Sequence, residues 1–66
     1  MSAANQETYR AIAGLIKKGD VTAALVQLDA LLSEFPEDVT ALSMAGSAYM
    51  QAGDQDKAFE NFEAAI

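Results

Sequence analysis

An all-α fold of helix-turn-helix repeats, four antiparallel helices in one domain, is what this sequence predicts. Three observations carry that expectation. Apolar residues recur at three- and four-residue steps on both sides of a Gly-Asp break. Leu42, Ala45, Gly46 and Tyr49 precede Gly53-Asp54, and Ala58, Phe59, Phe62, Ala65 and Ile66 follow it. That spacing marks one stripe of an amphipathic helix on each side of a tight turn. The break also occurs twice, at Gly19-Asp20 and Gly53-Asp54. Finally, displacing the chain by the 34 residues between the two breaks superposes Ala24 on Ala58, Ala11 on Ala45 and Ala30 on Ala64 without a gap. Leu15, Leu25, Leu28 and Leu32 then fall on Tyr49, Phe59, Phe62 and Ile66, so size and polarity agree where identity does not. A fixed period of this length is the mark of a stacked helical repeat.

The first helix is expected from about Ser2, a suitable N-cap, to Lys18. Ala11, Ile12, Leu15 and Ile16 form its apolar face, and Lys17-Lys18 sit at the negative end of its dipole. Gly19 supplies the left-handed residue that ends the helix, and Asp20 caps the next. The second helix, about Val21 to Phe35, is the most apolar segment. Val21, Ala24, Leu25, Leu28, Leu31, Leu32 and Phe35 repeat at helical spacing and leave Gln27, Asp29 and Glu34 for water. Pro36 stops it, because the residue before a proline is pushed out of the helical region.

Asp38 is the expected N-cap of a third helix over about Val39 to Ala52. Gly46 lies inside that helix, where glycine costs about 1 kcal/mol relative to alanine. Its reason is expected to be packing: without a side chain it admits the facing aromatic of the fourth helix. Gly53-Asp54 repeats the turn, and the fourth helix covers about Gln55 to Ile66.

The second unit reads Leu42-x2-Ala45-Gly46-x2-Tyr49…Ala58-x3-Phe62, and the first supplies Ala24-x3-Leu28…Pro36. This resembles the tetratricopeptide repeat family, whose 34-residue helix-turn-helix unit carries the pattern W-x2-L-G-x2-Y…A-x3-F…P. The resemblance spans residues 5–38 as repeat one and 39–66 as a truncated repeat two. It departs at Thr8 and Ile12, where the pattern has a large residue and a glycine, so the first two helices are expected to pack less closely. The second unit also ends before its own proline. What the resemblance implies is a right-handed stack with a concave face that binds other proteins, and no chemistry.

Composition narrows the function classes. Hydrophobic content is 52% and the formal net charge is −6, with four basic residues against ten acidic. Nucleic acid and anionic membrane are both repelled on average, and the largest basic cluster is Lys17-Lys18. Uncharged Val39–Gly53 is too short for a membrane span. Cysteine and histidine are absent, so no disulfide or thiolate metal site forms. Without a basic start followed by an apolar core, a cytoplasmic setting is the expectation.

An enzyme is not expected, and neither is a cofactor or a metal. General acid–base work calls for His or for carboxylates tuned by burial, whereas the acidic residues here fall on polar faces or at caps. Asp54 and Asp56 flank a helix start but lack the ligand series and twelfth-position Glu of a calcium loop. Ser43 and Ser47 have no base to activate them.

The resemblance instead implies a protein-binding groove lined by the first helix of each repeat. Carried over, it comprises Gln6, Tyr9, Ala13, Ile16 and Lys17 from the first helix and Thr40, Ser43, Ser47, Met50 and Gln51 from the third. Some family members grip the C-terminal carboxylate of heat-shock chaperones with Lys and Asn there. Tyr9, Ala13 and Met44 stand where the early clamp residues belong, which argues against that ligand. The expected function is therefore non-catalytic binding of a protein or peptide. The alternative is a self-assembling structural fragment, a homo-oligomer joined through an edge of Ala58, Phe59, Phe62, Ala65 and Ile66, by symmetric docking of end faces ahead of helix swapping.

Overall fold

The computed structural model describes residues 6–66, so the expected N-cap at Ser2 and the first residue of repeat one lie outside the described part. Within it run four helices: α1 (Gln6–Lys18), α2 (Val21–Glu34), α3 (Val39–Ala52) and α4 (Gln55–Ala65). The expected ends shift by one residue at α2 and α4, where Phe35 and Ile66 serve as C-caps. Phe35 has left helical geometry, at φ −131° and ψ 76°, because Pro36 follows it.

Both Gly-Asp junctions adopt the same geometry. Gly19 and Gly53 hold φ of +89° and +88°. The Gly19 N–H donates to the Ile16 carbonyl at 3.0 Å and the Asp20 N–H to the Leu15 carbonyl at 2.8 Å. At the second junction the Gly53 N–H reaches the Met50 carbonyl at 3.1 Å and the Asp54 N–H reaches the Tyr49 carbonyl at 2.9 Å. This is the Schellman pairing that satisfies the last carbonyls of a helix. Each aspartate then caps the next helix: Asp20 Oδ1 accepts from the Ala23 N–H at 3.3 Å and Asp54 Oδ1 from the Lys57 N–H at 3.1 Å. One dipeptide thus ends one helix and starts the next, leaving no slack between antiparallel neighbours.

The link between repeats is a turn closed by the Asp38 N–H on the Phe35 carbonyl at 3.1 Å. Pro36 occupies its second position, where the fixed φ of proline suits a type I turn. Asp38 follows as the N-cap of α3, accepting from the Thr40 and Ala41 N–H groups at 3.1 and 3.4 Å.

Each helix packs on its sequence neighbour, and α1 also meets α3. The α3–α4 pair is the most extensive contact and α1–α2 is looser. The core is a cluster of Ile12, Ala24, Leu28, Ala41, Ala45 and Ala48, with Leu15, Ile16, Val21, Leu25, Leu31, Leu32, Met44 and Tyr49 packed against it. As the middle element, α3 is divided into three sectors around its axis. Ala41, Ala45 and Ala48 enter the core shared with α1 and α2. Gly46 and Tyr49 face α4, where the Phe62 ring and the Lys57 ammonium meet them. Thr40, Ser47, Met50 and Gln51 are exposed.

Gly46 is the closest approach. A Cβ there would lie 2.6–2.8 Å from three atoms of the Phe62 ring, well inside contact distance. The equivalent pair in repeat one is Ile12 and Leu28, both fully buried. The two repeats therefore solve one packing problem with opposite size assignments: glycine against phenylalanine, and isoleucine against leucine. The bulk of Ile12 fits with the looser α1–α2 contact.

Three sequence expectations need correction, the first being Phe35, placed on the apolar stripe of α2 but 39% exposed at its C-cap. Ala11, placed on the apolar face of α1, is exposed, and Phe59, placed on the stripe of α4, is 66% exposed. Ala11 and Phe59 belong to α1 and α4, which among the described residues have a neighbour on only part of their circumference.

Gly53→Val should lower stability by about 1–2 kcal/mol, because a β-branched residue is forced into the left-handed region. Unchanged thermal melting would contradict the turn geometry. Gly46→Ala should also destabilise, by about 1–2 kcal/mol, since overpacking costs more than the helix-propensity gain returns. Adding Phe62→Leu to that variant should recover most of the loss, which chemical denaturation of the single and double variants would measure.

Candidate functional site

The ten expected groove residues occupy five equivalent stations on α1 and α3: Gln6 and Thr40, Tyr9 and Ser43, Ala13 and Ser47, Ile16 and Met50, Lys17 and Gln51. Because α1 lies against α3, the two sets of stations come onto neighbouring helices. Gln6, Ala13, Lys17, Thr40, Ser47, Met50 and Gln51 are exposed, whereas Tyr9, Ile16 and Ser43 are half-buried. Ile16 packs on the core and contributes little free surface. Met50 is half exposed.

The α3 part of this surface has an unusual composition for a protein of net charge −6. No residue of α3, from Val39 to Ala52, is charged. Val39 is nevertheless 55% exposed and Met50 50%. Among the ten stations only Lys17 carries a charge. A strip without charge, with an adaptable thioether at one end, has the composition of an interface centre.

Tyr9 has a structural role that the sequence did not reveal. Its hydroxyl donates a short hydrogen bond to Asp38 Oδ2, while Oδ1 of the same carboxylate caps α3. One aspartate thereby ties α1 of repeat one to the start of repeat two. The aspartate was recognisable as a cap from its position before Val39. Its tyrosine partner lies 29 residues away, and no local pattern links the two.

The residues expected at the α4 edge separate into two groups. Ala58 is fully buried and Phe62 lies against Gly46, so both belong to the α3–α4 contact. Ala65 is half-buried, and Phe59 and Ile66 are exposed. At the other end of the α3–α4 contact, the Lys57 ammonium stands 5.6 Å from the centroid of the Tyr49 ring, within range of a cation–π attraction.

Asp54 serves as a cap and Asp56 is exposed. Among the described residues no three His, Cys, Asp or Glu side chains gather as a metal site. An open depression beside the second turn is lined by Ala52, Gly53, Asp54, Gln55 and Asp56, and another by Thr8, Gln27, Ala30, Leu31 and Glu34. Neither lies on the ten stations. No described helix is long and apolar enough to cross a membrane.

No protein-family model matches the chain, and neither a curated protein nor a solved structure shows significant similarity to it.

Removing the Tyr9 hydroxyl tests its role as a tie. Tyr9→Phe should lower stability by about 1 kcal/mol, the usual net value of a partly exposed hydrogen bond. The loss should largely vanish in an Asp38→Asn background, where the cap is retained and the charged acceptor is gone. Additive losses in the double variant would show that the bond contributes nothing.

Proposed function

We propose that this chain is a non-catalytic protein-interaction module of the tetratricopeptide type, acting in the cytoplasm and binding a peptide or helix across the outward stations of α1 and α3. The observation that carries the reading is the charge-free exposed strip of α3, ending in half-exposed Met50, on an otherwise acidic protein. Interface centres are depleted in charge and enriched in methionine relative to other surface. The regular placement of five stations on each of two adjacent helices supports the same reading, because an extended ligand meets a repeating surface at fixed intervals.

A second reading is self-association through the outer flank of α4. Its specific support is the exposure of Phe59 on that flank, at 66%.

Panning a displayed peptide library against the full chain tests the first reading. Enriched peptides should bind the wild type, and Met50→Lys or Ser47→Glu should weaken them at least tenfold. Both positions are exposed, so melting should stay unchanged. Enriched peptides indifferent to both substitutions would place binding elsewhere, and failure to enrich any peptide would remove the groove reading.

A further inference from the structure

The repeat supplies its own template for what covers α4. Within the chain, α2 packs on α3: Leu28 is buried, and Leu25 and Leu32 pack on the cluster that includes Ala41, Ala45 and Ala48. Displaced by one repeat, those leucines become Phe62, Phe59 and Ile66 on α4. Leu25 and Leu32 are half-buried, whereas Phe59 is 66% exposed and Ile66 fully so. No described element covers this flank.

The receiving surface has a counterpart as well. Ala41, Ala45 and Ala48 form the small-residue sector that α3 turns to the core it shares with α1 and α2. Their equivalents on α1 are Glu7, Ala11 and Gly14, one face at helical spacing, and all three are exposed. A Cβ built on Gly14 meets nothing within 4 Å. The chain therefore exposes large apolar residues on α4 and, on α1, a face of two small residues, Ala11 and Gly14, bordered by Glu7, and the α2–α3 contact joins comparable large and small surfaces inside it.

Charge independently selects the same pairing. Helix α1 carries Arg10, Lys17 and Lys18 against one acidic residue, and α4 carries Asp56, Glu60 and Glu63 against one basic residue. An antiparallel α4–α1 contact in the sense of α2–α3 sets the Lys17-Lys18 end of α1 beside the Asp56 end of α4. A symmetric α4–α4 contact would instead bring two acidic helices together, and like charges across an interface oppose association.

We propose that the chain associates head to tail, the α4 flank of one copy seating on the Glu7–Ala11–Gly14 face of α1 in the next. This rests on the second reading above, that the α4 flank is an association surface, and it replaces symmetric docking with a heterologous contact. Such a contact grows into an open chain unless its rotation closes a ring.

The test uses variants blocked at one end, in the full chain. Phe59→Glu blocks the α4 end, and Ala11→Glu or Gly14→Glu blocks the α1 end. All three positions are exposed, and circular dichroism confirms that each variant folds. Sedimentation of the wild type should show mass rising with concentration, and each single variant should be monomeric. Mixing an α1-blocked with an α4-blocked variant should restore a one-to-one heterodimer that grows no further. Ala13→Glu, on the outward stations, should assemble as the wild type does. Glu7→Ala, which removes a like charge from the Glu63 end of the contact, should tighten association several-fold.

A wild type that stays monomeric at every concentration overturns both the self-association reading and this proposal. Wild-type association that survives Ala11→Glu and Gly14→Glu but is lost in Phe59→Glu overturns the head-to-tail contact alone and restores symmetric docking. Association insensitive to all three substitutions also overturns it, and points to exchanged helices.

Discussion

A two-residue junction between antiparallel helices is the constraint on which the rest of this structure depends. Glycine at φ near +90° reverses the chain and lets its own N–H and that of the following aspartate satisfy the ending helix. The aspartate carboxylate then satisfies the beginning of the next. Four backbone groups at each end of a helix lack intrahelical partners, so a connection this short is stable only if its residues supply partners themselves. With no spare residue, the register of α1 on α2 and of α3 on α4 follows from the turn. The same turn recurs after one full repeat, which makes the two hairpins superposable in sequence before any side-chain packing is considered.

Packing then differentiates the two hairpins. Gly46 lets the Phe62 ring approach the α3 backbone, and this pair forms the most extensive helix contact. In repeat one the small residue is replaced by Ile12, which is completely buried and helps build the core where α1, α2 and α3 meet. A large side chain at that station contributes more buried area but holds the helices further apart. The chain uses the close fit in the second hairpin and the bulky core residue in the first, and Tyr9 adds a polar tie from α1 to the Asp38 cap. Inter-repeat geometry is thus held by the apolar cluster on one side and one shared carboxylate on the other.

What the sequence showed and what it hid divide along the distance over which each signal acts. The Gly-Asp turns, the aspartate caps and the stop at Pro36 are local chemistry and were readable residue by residue. The Gly46–Phe62 contact was readable because a glycine inside a helix needs a reason, and the opposing stripe held an aromatic of the right kind. The Tyr9–Asp38 bond was not, since it depends on how α1 lies against the start of α3. Ala11 and Phe59 were misplaced for a related reason. Periodicity identifies an apolar face but not which part of it a neighbour covers, and among the described residues α1 and α4 are covered over only part of their surface. The ten stations were located from the resemblance alone. Their exposure distinguishes seven accessible positions from Tyr9, Ile16 and Ser43, which the fold partly uses for itself.

The three sectors of α3 connect the two functional readings. One sector meets the preceding helices, one meets α4, and the third is the uncharged outward strip. Head-to-tail association would occupy the first kind of sector on α1 and the outer flank of α4, and leave the outward stations free. Each added copy would then extend the outward strip by two more helices in the spacing of the first two. A ligand contacting several copies gains effective concentration without any new type of contact. An exposed side chain of the size of Phe59 forgoes about 1.5–3 kcal/mol relative to burial, a considerable share of what a small domain has in reserve. Covering that flank would therefore stabilise the fold and lengthen the proposed binding strip in the same step, which would couple assembly to ligand binding: a ligand across the junction of two copies would favour the junction, and the junction would favour its binding.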